Sequence, residues 1–113
     1  MEKIIQVEGQ TIRLKSSGAF LLKYKAQFRR DPLADIMAMA KSLDSGGDIA
    51  TLDTEVLYNI LWSLAKNANP SIDEPIRYFE HFETFPILDN EVLNAVIDLA
   101  LKSMGASVES KKK

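Results

Sequence analysis

The chain contains no cysteine and only one histidine, His81. The first absence excludes a disulfide framework and every thiolate metal site. The scarcity of histidine excludes a metal site built from several imidazoles. No apolar run approaches the roughly 20 residues that span a bilayer as a helix. The opening stretch, Met-Glu-Lys-Ile-Ile-Gln, lacks the apolar core of a signal peptide, so the expected setting is the cytoplasm. An excess of positive charge is missing too. Lys and Arg number 14 against 16 Asp and Glu, a formal charge of −2. A broad surface that tracks nucleic-acid phosphates is therefore not expected.

What is present is a globular composition: 113 residues, 46% hydrophobic and 27% charged. That length suits one domain, expected over residues 1–105. Residues 106–113 are polar and aperiodic and read as a disordered tail. The patterning predicts an α+β fold, mostly α, with an N-terminal β-hairpin followed by about five helices. Ile5 and Val7 flank Gln6, and Ile12 and Leu14 flank Arg13, so each run has one apolar face. Glu8-Gly9-Gln10 is the expected turn, with Gly9 supplying positive φ. The free edges of such a hairpin are candidate docking edges.

Ser17 is a candidate cap for a helix over 18–30, with Phe20, Leu21, Tyr24 and Phe28 as its apolar stripe. Asp31-Pro32 marks a boundary, because Asp caps and Pro suits the first helical position. The helix over 32–43 carries Leu33, Ile36, Met37, Ala40 and Leu43 at helical spacing. A loop spans 44–48. A third helix follows Asp53 and runs to about 66, with Leu52 and Leu57 placed as a hydrophobic staple. Its main stripe is Val56, Leu57, Ile60, Leu61 and Leu64. A fourth helix is expected over 74–83, capped by Ser71 or Asp73, with Ile76 and Phe79 facing one way. Asp89 caps a fifth, whose stripe is Leu93, Val96, Ile97, Ala100, Leu101 and Met104. Gly105 stands where a helix C-terminal glycine belongs.

The search for chemistry assigns no catalytic, cofactor or metal residue. His81 lies between Glu80 and Glu83, near Arg77, on the expected polar face of the fourth helix. Glu80 and Glu83 are one turn apart, with no sign that one carboxylate is dry and the other wet, as acid–base work needs. Asp44 and Asp48 flank a Ser-Gly-Gly loop, but Ile49 stands where a calcium loop needs its glycine. No glycine-rich phosphate motif or nucleophile elbow occurs. Lys23, Lys25, Arg29 and Arg30 form a small basic cluster, read as a solvated helix face or as a nucleic-acid contact. Tyr58 and Trp62 lie one turn apart, almost opposite the main stripe of the third helix. Either that helix is buried on all sides, or the pair is an exposed aromatic anchor. With Phe82 and Phe85 they are the candidate partner-binding residues.

The order of elements, from Ile-Ile-Gln-Val-Glu-Gly-Gln-Thr-Ile-Arg-Leu through Ser-Ser-Gly-Ala-Phe-Leu-Leu-Lys-Tyr-Lys to the Asp53-capped helix of residues 52–66, resembles the tail assembly chaperones of long-tailed bacteriophages and prophages of Gram-positive bacteria. The likeness runs from about residue 3 to 104. It implies a non-enzymatic protein in the host cytoplasm that binds the tape measure protein, keeps it soluble and recruits tail tube subunits. It also implies homo-oligomers, and a longer product made by frameshifting near Lys111-Lys112-Lys113. The competing expectation is a small bacterial regulatory or adaptor domain that contacts nucleic acid through the Lys23 to Arg30 face.

Overall fold

The structure, a computed structural model, describes residues 1–44, 53–86 and 90–105. Among them an antiparallel hairpin, β1 (Glu2–Val7) and β2 (Gln10–Lys15), precedes five helices: α1 (Phe20–Phe28), α2 (Pro32–Asp44), α3 (Thr54–Ala68), α4 (Pro75–Phe79) and α5 (Asn90–Ser103). The fold is thus α+β and mostly α. The expected staple residue Leu52, the cap Asp89, loop positions 45–48 and the tail 106–113 lie outside the described residues.

The hairpin pairs Ile5 with Ile12 and Lys3 with Leu14. Its loop is two residues rather than three, since Gln10 already belongs to β2. Glu8 and Gly9 both take positive φ, 52° and 77°. This is the turn whose twist matches the strands it joins. The face bearing Val7, Ile12 and Leu14 is buried and lies on α3. The other face is wet, and Ile4 is 63% exposed on it.

Ser17 Oγ accepts from the Ala19 amide at 3.1 Å, but it does not cap α1: the N-cap position is Ala19, which makes no side-chain capping bond. The helix starts later, at Phe20, and ends earlier, at Phe28. Arg29 turns left-handed at φ 58° and closes α1 by donating to the Lys25 carbonyl at 2.8 Å. That turn frees Asp31, whose Oδ1 accepts from Leu33 and Ala34 amides at 3.1 and 3.4 Å and starts α2.

The expected stripe of α2 is partly wrong. Ile36 is fully buried, but Leu33 and Met37 are 49% and 51% exposed, and Pro32 and Met39 are buried instead. Asp35 explains the rotation. Its carboxylate accepts from the Tyr24 hydroxyl at 2.9 Å and from Arg30 at 2.8 Å, which pulls its side of the helix toward α1.

Asp53 caps α3 through bonds from the Glu55 and Val56 amides at 3.0 and 3.4 Å. From Val56 to Ala65 every residue but Tyr58 is buried, so α3 is the central helix. Its stripe joins Phe20, Tyr24, Leu14 and the Val92, Val96 and Leu99 face of α5 in one apolar cluster. Each fully buried side chain of this size contributes roughly 1.5–3 kcal/mol over leaving it in water. Of the expected α5 stripe, Leu93, Val96 and Ala100 are buried, while Ile97, Leu101 and Met104 are partly so. Gly105, at φ 84°, ends α5 as expected.

α4 is the main departure. It has five residues, starts with Pro75 and has no side-chain cap, although 74–83 was expected. The backbone beyond it is taken by the hairpin. Gln10 Nε2 donates to the His81 carbonyl at 2.9 Å. The Glu8 carboxylate accepts from the Glu83 and Thr84 amides at 2.9 and 3.0 Å and from the Thr84 hydroxyl at 2.8 Å. Between α4 and these contacts the His81 and Phe82 amides donate to the Tyr78 and Phe79 carbonyls at 3.3 and 3.1 Å, a tighter turn that does not continue the α-helix.

Candidate partner-binding cleft

The four candidate aromatic residues do not stay together. Trp62 is only 5% exposed. Its indole N–H donates to the Asp73 carbonyl at 2.8 Å, and its ring meets Phe28 edge-on at 5.7 Å. It is not an exposed anchor. It pins the chain that precedes α4 and buries the back of α3 against α1, so the fully buried alternative holds at this position. Phe82, 9% exposed, also belongs to the core.

Tyr58 and Phe85 are half-buried and in contact, with ring centroids 4.8 Å apart. Phe79 joins them: its ring lies 4.7 Å from Tyr58 at 70°, and 6.4 Å from Phe82. Such offset and edge-on pairs add about 0.5–1.5 kcal/mol each beyond area burial. Three of the four candidates, Tyr58, Phe82 and Phe85, therefore gather around Phe79, and Trp62 stands apart.

Beside this cluster a cleft of about 600 Å³ opens between the first half of α3 and α4. Tyr58 and Asn59 form one bank, Pro75, Ile76 and Phe79 the other, and Phe82 the floor. Ile76 is 79% exposed, although its spacing with Phe79 pointed to the core. Glu55 and Glu80 stand at the rim on opposite banks, and among the described residues the lining contains no Lys, Arg or His. Sequence reasoning missed Ile76, because it took α4 as a long helix with a covered face.

The neighbouring charges are organised around Arg30. Its guanidinium holds Asp35 through two bonds at 2.8 and 3.0 Å, and lies 3.8 Å from Asp53 and 3.6 Å from Glu55. Arg30 keeps the Asp35 carboxyl below the usual aspartate range. Burial, then the bond to Asp35, pushes the Tyr24 phenol far up. The Asn59 amide sits close enough to that phenol to offset a little of the rise. No acceptor meets Asn59 Nδ2 in hydrogen-bonding geometry, so it is a buried donor without a partner.

This network uses one member of the basic cluster on α1 and its exit. Lys23 is also engaged, donating to Asn67 Oδ1 at 3.3 Å. His81 lies past the end of α4 rather than on a helix face. Its side chain is 61% exposed and 3.6 Å from the Asp73 carboxylate. Among the described residues no group of three or more His, Cys, Asp or Glu could hold a metal ion. Nor, among them, is any helix long and apolar enough to cross a membrane.

Compared with known proteins, the chain matches no family model, no curated protein and no solved structure. What it offers is an apolar cleft walled by two helices, an adjoining aromatic cluster, and a hairpin with open edges. One groove runs between β1 and α5, with a volume of about 790 Å³. Another, of about 510 Å³, lies between β2 and the α3–α4 turn.

Proposed function

We propose that this chain is a tail assembly chaperone of a long-tailed phage or prophage of Gram-positive bacteria. In this reading it works in the bacterial cytoplasm and is not an enzyme. It binds the tape measure protein, keeps that long helical chain soluble, and recruits tail tube subunits. The order of elements from residue 3 to 104 resembles that of the family. The observation that carries the mechanism is the α3–α4 cleft, with Ile76 79% exposed on its bank. A chaperone for an amphipathic helical chain needs apolar surface that is open before the client arrives.

The test is co-expression with a tape measure fragment. The soluble yield of the fragment should rise several-fold, and the two chains should purify together. An unchanged yield with no co-purification contradicts the reading. Retention on DNA that weakens with salt, without any effect on the fragment, would favour the adaptor alternative instead.

A further inference from the structure

We infer that the α3–α4 cleft is the seat of an amphipathic α-helix whose apolar stripe is flanked by Lys or Arg. This rests on the chaperone reading and adds the form and charge of the client segment. Three observations carry it.

The first is the shape of the walls. Both banks are helical, the first half of α3 and the five-residue α4, where Tyr78 and Glu80 amides donate to the Glu74 and Ile76 carbonyls. Among the described residues no strand edge faces the cleft. An extended segment laid here would find no row of partners for its own N–H and C=O groups, and burying them unpaired is costly. A helix brings those bonds with it and needs only side-chain contact.

The second is the chemistry of the lining. Tyr58, Pro75, Ile76 and Phe79 offer apolar and aromatic surface, and Ile76 stands proud of the bank at 79% exposure. Side chains at i, i+3, i+4 and i+7 of a docked helix would straddle Ile76 and reach Tyr58 and Phe79.

The third is charge. Glu55 and Glu80 edge the cleft from opposite banks, and among the described residues its lining holds no Lys, Arg or His. Glu55 already has Arg30 at 3.6 Å on its far side, so Glu80 is the more available of the two. A helix with cations beside its apolar stripe meets complementary charge on either side. One with carboxylates there is repelled.

The experiment uses two synthetic helical peptides with the same leucine stripe, one flanked by Lys and one by Glu, titrated into the full chain by fluorescence anisotropy. The Lys-flanked peptide should bind at least tenfold more tightly. Ile76→Ser should weaken it at least tenfold, with an unchanged circular dichroism spectrum, because Ile76 contributes little to the core. Glu80→Lys should narrow or reverse the preference between the peptides. No binding, a preference for the Glu-flanked peptide, or binding indifferent to Ile76→Ser overturns the inference. So does a shift from oligomer to monomer in Ile76→Ser without peptide binding, which would make a second copy the occupant. The two proposals fail separately. A tape measure fragment still made soluble by Ile76→Ser refutes this cleft and leaves the chaperone reading standing. Peptide binding at the cleft without any effect on the fragment does the reverse.

Discussion

Arg30 joins three elements through one guanidinium. It holds Asp35 on α2, the cap residue Asp53, and Glu55 on α3. Arg30→Ala leaves Asp35, whose side chain is 12% exposed, without its cation. The expected loss is about 1–3 kcal/mol, read from a urea midpoint. The pH dependence has a definite sign. Asp35 titrates lower in the folded chain than unfolded, so its contribution is complete above the ordinary aspartate range and is lost as pH falls below it. Arg30→Ala should therefore also flatten the loss of stability below about pH 4. Asn59 gives the opposite kind of prediction. Its Nδ2 is buried without a partner, so Asn59→Leu should raise stability, by on the order of 1 kcal/mol. A lower melting temperature in that variant would contradict this account of the amide.

Among the elements, the hairpin loop does more than reverse the chain. Gly9 holds φ 77°, where a side chain is strained, so Gly9→Ala should cost roughly 1–2 kcal/mol in thermal or urea unfolding. Glu8 fixes the stretch after α4. Glu8→Gln should speed amide exchange at Glu83 and Thr84 while leaving α3 protected. Acidification should likewise lower the protection of these two amides in the native chain, relative to the slower intrinsic exchange at that pH. The bonds from Glu83 and Thr84 hold the Glu8 carboxyl below the usual glutamate range, so the grip persists above that range and is lost as pH falls below it. These contacts also explain what the sequence could show. Asp31-Pro32, Asp53, Gly9 and Gly105 act on the nearest turn of chain, so their roles were legible. The length of α4 was not: past Phe79 the His81 and Phe82 amides turn to the Tyr78 and Phe79 carbonyls, and Glu8 and Gln10, more than 70 residues away, hold the stretch that follows. The turn of α2 depends on Tyr24 and Arg30, which no periodicity within α2 records. For the cleft, Tyr58 was legible as an aromatic off the main stripe of α3, and Phe82 as an aromatic of the segment after it, while Phe85 stands beside the cleft against Tyr58 rather than in its lining. The burial of Trp62 was not, since a wheel for one helix does not show that α1 covers its back. Nor was the exposure of Ile76.

At the scale of the whole molecule, the described residues place the buried apolar mass around α3 and leave an apolar cleft between α3 and α4 rimmed by Glu55 and Glu80. In the account proposed here that cleft receives helical segments of a tape measure protein, and α1 with its lysines is a bystander. Hydrogen–deuterium exchange of the chain alone and with a purified tape measure fragment tests this most directly. The account predicts that the fragment slows exchange across residues 54–61 and 74–82, the two banks of the cleft. Slowing confined to residues 20–30, or no slowing anywhere under saturating fragment, would contradict it.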